Sequence, residues 1–414
     1  MKAPCVVAPI AAGVGLTGAL LAAPAAEVRT DWTLEIKPLD SPAAEPSGQP
    51  QLSTSARGVI LSWIERAGAR ATLKFAERTP AGWSEARTVA SGDDWFVNWA
   101  DVPSVARLAD GTLAAHWLQK SGPGTYAYDV RLSFSKDDGR TWSPPATPHR
   151  DGTQTEHGFA SLFQTPGTGL GLVWLDGRAM TGGHGSHGGG DMSLRAAVFG
   201  KDLKQASEVL VDNRVCECCP TTAAVTSEGV IVAYRNRSAD EVRDIYVTRF
   251  EDGAWAEGVP VHADNWRIPA CPVNGPVLSA SGRDVAIAWF TIHNDQGQVF
   301  AAFSNDGGRT FGKPVRLDEN GSLGRVDIEL LADGSAVATY IESGTERPQF
   351  RIRRVESSGR TSAPMTVSGI DGTRTSGYPR MALDHGELTF AWIERDGELR
   401  VRTASAKVPV TASR

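Results

Sequence analysis

Ser135-Lys136-Asp137-Asp138-Gly139-Arg140-Thr141-Trp142 is written a second time in this chain, as Ser304-Asn305-Asp306-Gly307-Gly308-Arg309-Thr310-Phe311. Each copy reads as a tight turn. The first aspartate can accept hydrogen bonds from the turn amides, glycine takes the positive φ that a hairpin demands, and the closing aromatic can pack beneath. A turn repeated at this length marks a repeated supersecondary unit. At 414 residues, length alone suggests two or three domains, but an internal period overrides that expectation.

Working outward from the two turns, seven segments share one pattern: an alternating apolar run ending in an aromatic, with a polar side chain two residues on. The aromatics are Trp63, Trp117, Trp174, Tyr234, Trp289, Tyr340 and Trp392, followed by Glu65, Gln119, Asp176, Asn236, Thr291, Glu342 and Glu394. Successive aromatics lie 54, 57, 60, 55, 51 and 52 residues apart, which suits one four-stranded blade per repeat. The alternation in Val59-Ile60-Leu61-Ser62-Trp63 places each aromatic on the second strand of its blade. The fold class is therefore an all-β propeller of seven four-stranded blades. The last repeat has room for about three strands, so the segment from Trp32 to Leu39 is expected to supply the fourth and close the ring, removing its open edge.

Composition narrows the function classes. Net charge is −6, pI is about 5.8 and charged residues are 22% of the chain, which gives no electrostatic case for nucleic acid or an anionic membrane. Met1-Lys2, the apolar run from Val6 to Ala23 and the small-residue site Ala23-Pro24-Ala25 read as a secretory leader over residues 1–25, leaving 26–414 as one propeller domain that is periplasmic or secreted. An uncleaved N-terminal anchor is the alternative, and nothing later is apolar enough to span.

The repeated Ser-x-Asp-x-Gly-x-Thr-aromatic turn resembles the Asp-box of the sialidase-like β-propeller superfamily, where it caps the hairpin between the outer two strands of a blade. Sialidases of that superfamily have six blades, so seven repeats are a departure, with one repeat being an insertion as the alternative. In an up-and-down blade the Asp-boxes mark the bottom, and the loops before each repeat and after each aromatic share the top. Those loops carry Arg178, Arg235, Arg325 and Arg380 at equivalent edges of four repeats, and converging guanidinium groups could grip a carboxylate bidentately. The alternative is that Arg235 and Arg243 pair with Asp240, Glu241 and Asp244. Trp99, Tyr128 and Trp266 are further candidates for contact with a ligand.

The resemblance implies a glycoside hydrolase acting on an acidic sugar or glycoconjugate, with an arginine cluster, a tyrosine nucleophile assisted by glutamate, and an aspartate acid/base. Carried onto this chain, Tyr378 is the nucleophile, and Glu156, Asp101 or Asp244 supply the carboxylates. Sialidases carry an early Arg-Ile-Pro, whereas the one here is Arg267-Ile268-Pro269, mid-chain. A non-catalytic propeller binding a glycan or protein is a second reading.

No cofactor is required by that chemistry, but Cys216-Glu217-Cys218-Cys219-Pro220 and Cys271-Pro272 lie one repeat apart. Disulfides are one expectation, since a link to Cys271 closes a loop of about 50 residues, worth about 4 kcal/mol in the chain-entropy picture. A thiolate site for copper or zinc, with His157 as a further ligand, is the other. The stretch from Gly182 to Gly190, with His184 and His187, reads as a glycine-rich cover for the central pocket.

Overall fold

The structure is a computed structural model that describes residues 28–29, 32–165, 169–180 and 189–409. The expected leader and the histidines of the 182–190 stretch lie outside those residues. Seven antiparallel sheets, covering 47–92, 104–146, 157–212, 222–260, 277–316, 322–369 and 380–407, form blades 1 to 7 of the ring. Among the described residues the one helical element is the short turn Arg374–Ser376.

Ring closure follows the expectation. Lys37–Leu39 pairs antiparallel with Glu398–Lys407 and so becomes the outermost strand of blade 7. Ahead of it, Trp32 is buried against Phe350 of blade 6 and Phe390 and Trp392 of blade 7, so the N-terminal segment latches two blades as well as completing one.

All seven repeat aromatics sit on second strands and are buried between sheets. Each such ring contributes about 2–3 kcal/mol by leaving water, provided that its polar atom finds a partner. The residue two positions on supplies that partner in two blades: Trp63 Nε1 donates to Glu65 at 3.0 Å and Trp174 Nε1 to Asp176 at 2.8 Å. In three blades the partner comes from another connection: Tyr234 donates to Asp212 at 2.6 Å, Trp289 to Asp264 at 2.7 Å and Tyr340 to the Leu317 carbonyl at 2.9 Å, while Nε1 of Trp117 and of Trp392 is buried without a partner among the described residues.

The two Asp-box turns are built alike. Asp137 Oδ1 and Oδ2 accept from the backbone N and hydroxyl of Thr141 at 2.9 and 2.7 Å, and Asp306 does the same with Thr310 at 3.0 and 2.6 Å. The Thr141 hydroxyl and amide hold the Asp137 carboxyl down at about 2. Both turns also press on the preceding blade. At Gly308, where φ is 82°, a Cβ would lie 2.1 Å from Ile231 Cδ1 of blade 4, and at Gly139 it would lie 2.5 Å from Phe75 Cζ of blade 1. Only glycine meets both demands.

Inner strands of blades 1, 3 and 6 open with a bulge in which Gln49, Phe159 and Arg325 take positive φ after a glycine. A bulge re-aims one side chain while the rest of the strand keeps its register. These bulges lie where the inner strands begin, on the face that carries the inter-blade connections.

Candidate functional site

The inner strands of all seven blades enclose a central cavity of about 360 Å³, whose lining includes Asp101, His116, Asp327, Glu329, Tyr378 and Arg380. Burial dominates its electrostatics. It raises Asp101 to about 8, helped by the nearby Glu156, and raises Glu329 to about 8 and Asp327 to about 6. It lowers His116 to about 4, with Nδ1 2.9 Å from Ser104 Oγ. At neutral pH, Asp101 and Glu329 are thus largely protonated acids.

Asp101 and Glu156 do come together, but around Tyr128 and not Tyr378. The Tyr128 hydroxyl lies 2.7 Å from Glu156 Oε1 and 3.2 Å from Asp101 Oδ2, and its ring is fully buried on Phe96, with centroids 4.0 Å apart. Tyr378 is 2% exposed and donates its hydroxyl to the Val273 carbonyl at 2.6 Å. Asp244 stands apart, accepting from the amides of Asn265 and Trp266 at 2.9 and 3.0 Å. It braces a loop.

The four arginines do not form one grip. Arg178 is held by Asp176 and Glu208 in blade 3, at 2.7 and 2.6 Å. Arg235 is buried against the Trp266 ring and donates to the carbonyls of Asn274, Arg243 and Phe290 at 2.6–3.0 Å. The anticipated pairing of Arg235 with acids is therefore replaced by backbone carbonyls, while Arg243 does pair with Glu241 and Glu217. Arg325 donates to Ser376 Oγ at 2.6 Å and to the Gly377 carbonyl at 3.1 Å. Arg380 alone of the four lines the cavity, over the Tyr378 ring and with Nε unpaired. Trp266 and Tyr128 are core residues rather than ligand contacts.

A different set of arginines surrounds Trp99. At the seam between blades 1 and 7 a pocket of about 440 Å³ is lined by Trp99, Arg66, Arg374, Arg395, Asn98 and Gln49, among others. Arg66 and Arg395 lie at the ends of the second strands of their blades, just before the turn, and Arg374 lies in the short helical turn ahead of blade 7. All three are exposed and no carboxylate pairs with any of them among the described residues. Trp99 forms the floor: Arg325 packs 4.9 Å from its ring from within, Arg374 lies 5.8 Å from it, and Tyr378 stacks on it at 5.8 Å. A repeat signal pointed here. Trp63-Ile64-Glu65-Arg66 and Trp392-Ile393-Glu394-Arg395 are the same four residues in the two blades that meet at the ring closure.

Among the described residues the cysteines form no disulfide: Cys216, Cys218 and Cys219 are buried and Cys271 is exposed. Sγ of Cys216 lies 3.8 Å from that of Cys218 and 3.6 Å from that of Cys219, and Cys271 contacts Cys218. His157 is not among them. It stacks on His149, with parallel rings 3.7 Å apart, among Asp129, Asp151 and Asp176. Burial and the His157 charge lower His149 to about 4, whereas the three carboxylates overcome burial and raise His157. Ligand atoms do converge here, apart from the cysteines: in Asp129–His149–His157 and in Asp151–His157–Asp176 one atom of each residue lies within 4.8 Å of the others, a spacing that could hold a metal ion. His149 carries no repeat signal in the sequence, because it lies in the connection after the first Asp-box.

The chain was compared with known proteins. No curated protein matches it. Among solved structures it is similar to a protein of unknown function from Dyadobacter fermentans DSM 18053, at TM-score 0.51 and 13% identity over 93% of this chain and 98% of that one. Polysaccharide lyase Uly1 has TM-score 0.52 and 12% identity over 88% of this chain and 91% of that one. The NanB sialidase from Streptococcus pneumoniae has TM-score 0.48 and 9% identity, covering 91% and 94%. At such identities the first two share the fold and nothing finer. The sequence model of the BNR repeat-like domain matches residues 70–388, about three quarters of the length. With that match running from blade 1 to blade 7 and both Asp-box turns built alike, the chain belongs to the family of BNR repeat-like domains, as a seven-bladed, sialidase-like propeller.

Proposed function

We propose that the protein is an exported propeller that binds an acidic carbohydrate in the seam between blades 1 and 7. The observation that carries this reading is the convergence of Arg66, Arg374 and Arg395, all without carboxylate partners among the described residues, around the Trp99 ring. Guanidinium groups bind carboxylate or sulfate through paired hydrogen bonds, and an indole face offers a platform to the apolar face of a sugar ring. A pocket of about 440 Å³ is of a size for one or two sugar residues. The Uly1 lyase, which shares the fold, acts on a polysaccharide, in keeping with this ligand class. Export rests on the leader-like residues 1–25.

Calorimetry with oligosaccharides bearing uronic acid or sulfate, against neutral analogues of equal length, tests the reading. Salt-sensitive binding of the acidic set alone is expected. Equal affinity for the neutral set would sink it.

A second reading, hydrolysis of an acidic glycoside in the central cavity, draws on two features. Asp101 keeps its proton to about 8, as a general acid must, and Arg380 has an unpaired Nε in the same cavity. Turnover of an aryl sialoside by the full chain, abolished in Asp101→Asn, is its expected signature; no turnover removes it.

A further inference from the structure

We propose that Cys216, Cys218, Cys219 and Cys271 form a four-thiolate site for one thiophilic d10 metal ion, zinc or monovalent copper, which clamps blade 4 to blade 5. The spacing is the first argument. Four sulfurs at a metal–sulfur distance of about 2.3 Å mark a tetrahedron with edges of about 3.8 Å. Cys216 Sγ lies 3.8 Å from Cys218 Sγ and 3.6 Å from Cys219 Sγ, and the three sulfurs all fall within 4.8 Å of one another. A disulfide needs about 2.0 Å, and Cys218 and Cys219 are adjacent in the chain, which strains any bridge between them.

The surroundings are those of thiolates rather than of small core hydrophobes. Arg243 Nη1 donates to Cys216 Sγ at 3.2 Å and the Asn274 backbone N–H donates to Cys219 Sγ at 3.4 Å. Both donors are themselves held in place. Glu217 bonds Arg243 at 2.7 Å, and the Asn274 loop is fixed by Arg235 on the Asn274 carbonyl and by Tyr378 on that of Val273. Donor groups oriented by a further layer of bonds are what a metal–thiolate centre requires to keep its ligands aligned.

The ligand set selects the ion. Among the described residues no imidazole or carboxylate belongs to the cluster, and its all-sulfur donor set suits zinc and monovalent copper rather than hard cations such as magnesium and calcium. The fourth ligand comes from the next blade in sequence, so the ion would join loops that are otherwise linked through Asn274. Because Cys271 is exposed, the ion has a route in and out.

Elemental analysis of the full chain, purified under reducing and chelator-free conditions, is expected to find one ion per chain. Titration of apoprotein with Zn(II), and separately with Cu(I) delivered from a chelator of known affinity, then decides between the two. Cobalt(II) substitution should produce thiolate-to-metal charge-transfer bands and the intense visible bands of tetrahedral coordination. Cys219→Ser and Cys271→Ser should each weaken binding about tenfold or more. Should the buried Cys219 variant fail to fold, the exposed Cys271 variant still gives the answer. Four freely reactive thiols that bind neither metal, two disulfides in protein alkylated at harvest, or a Cys271→Ser variant that binds as the parent does would each overturn the proposal.

Discussion

Arg235 and Arg395 are the same side chain at neighbouring positions of the repeat, one and three residues after their blade aromatics, and they do opposite things. Arg235 is 1% exposed and its donors reach three carbonyls, that of Phe290 in blade 5 and that of Asn274 in the connection leading into it among them. Arg395 is exposed at the seam pocket with no acid to hold it among the described residues. Complete satisfaction inside the protein turns a charge into a rivet. Exposure without a partner leaves the charge for something that arrives from solution.

The largest expected effect tests the rivet. Arg235→Met leaves the carbonyls of Asn274, Arg243 and Phe290 without their buried donor and should cost about 3–5 kcal/mol by denaturant unfolding. A loss under about 1 kcal/mol would mean that water or a neighbour replaces the guanidinium, and the contrast with Arg395 would collapse.

Next in size is the effect at the seam. The double variant Arg66→Ala with Arg395→Ala should weaken binding of an acidic oligosaccharide about tenfold or more, with a shallower salt dependence, while unfolding free energy moves by no more than about 0.5 kcal/mol. Loss of stability instead of affinity would make these arginines structural, like Arg235.

The smallest effect sharpens the comparison with a third case, a buried acid that is incompletely paired. Asp101 is raised to about 8 by burial, so the folded state holds a proton that the unfolded chain has already released, and stability falls as pH rises from about 4 to about 8 and levels off above that. From pH 7 to pH 9 its share is about 1 kcal/mol. Asp101→Asn should remove that share and flatten the stability curve over this window; a steeper curve would contradict the assignment. Glu329 slopes the same way and remains in the variant.

Much of the architecture was legible along the chain. Seven aromatics at near-even spacing lie on seven second strands, the Asp-boxes cap outer hairpins, and Lys37–Leu39 closes blade 7. These are local patterns, read by alternation and turn chemistry. The site was less legible. Arg178, Arg235 and Arg325 occupy the anticipated repeat edges, but what a guanidinium meets there is decided by a neighbouring element: the Asn274 and Phe290 carbonyls for Arg235, Ser376 and Gly377 for Arg325. Likewise the residue nearest to His157 in space is His149, from the connection leaving the previous blade.

By itself the sequence determined a ring of like sheets, because period, alternation and turn residues act over a few positions and repeat. It also determined that four cysteines stand at two adjacent inter-blade loops. Only the tertiary structure decided which charges are consumed by backbone and which stay open, and that the cysteine sulfurs meet without bonding. Those outcomes depend on atoms brought together from different blades, at distances that no spacing along the chain contains.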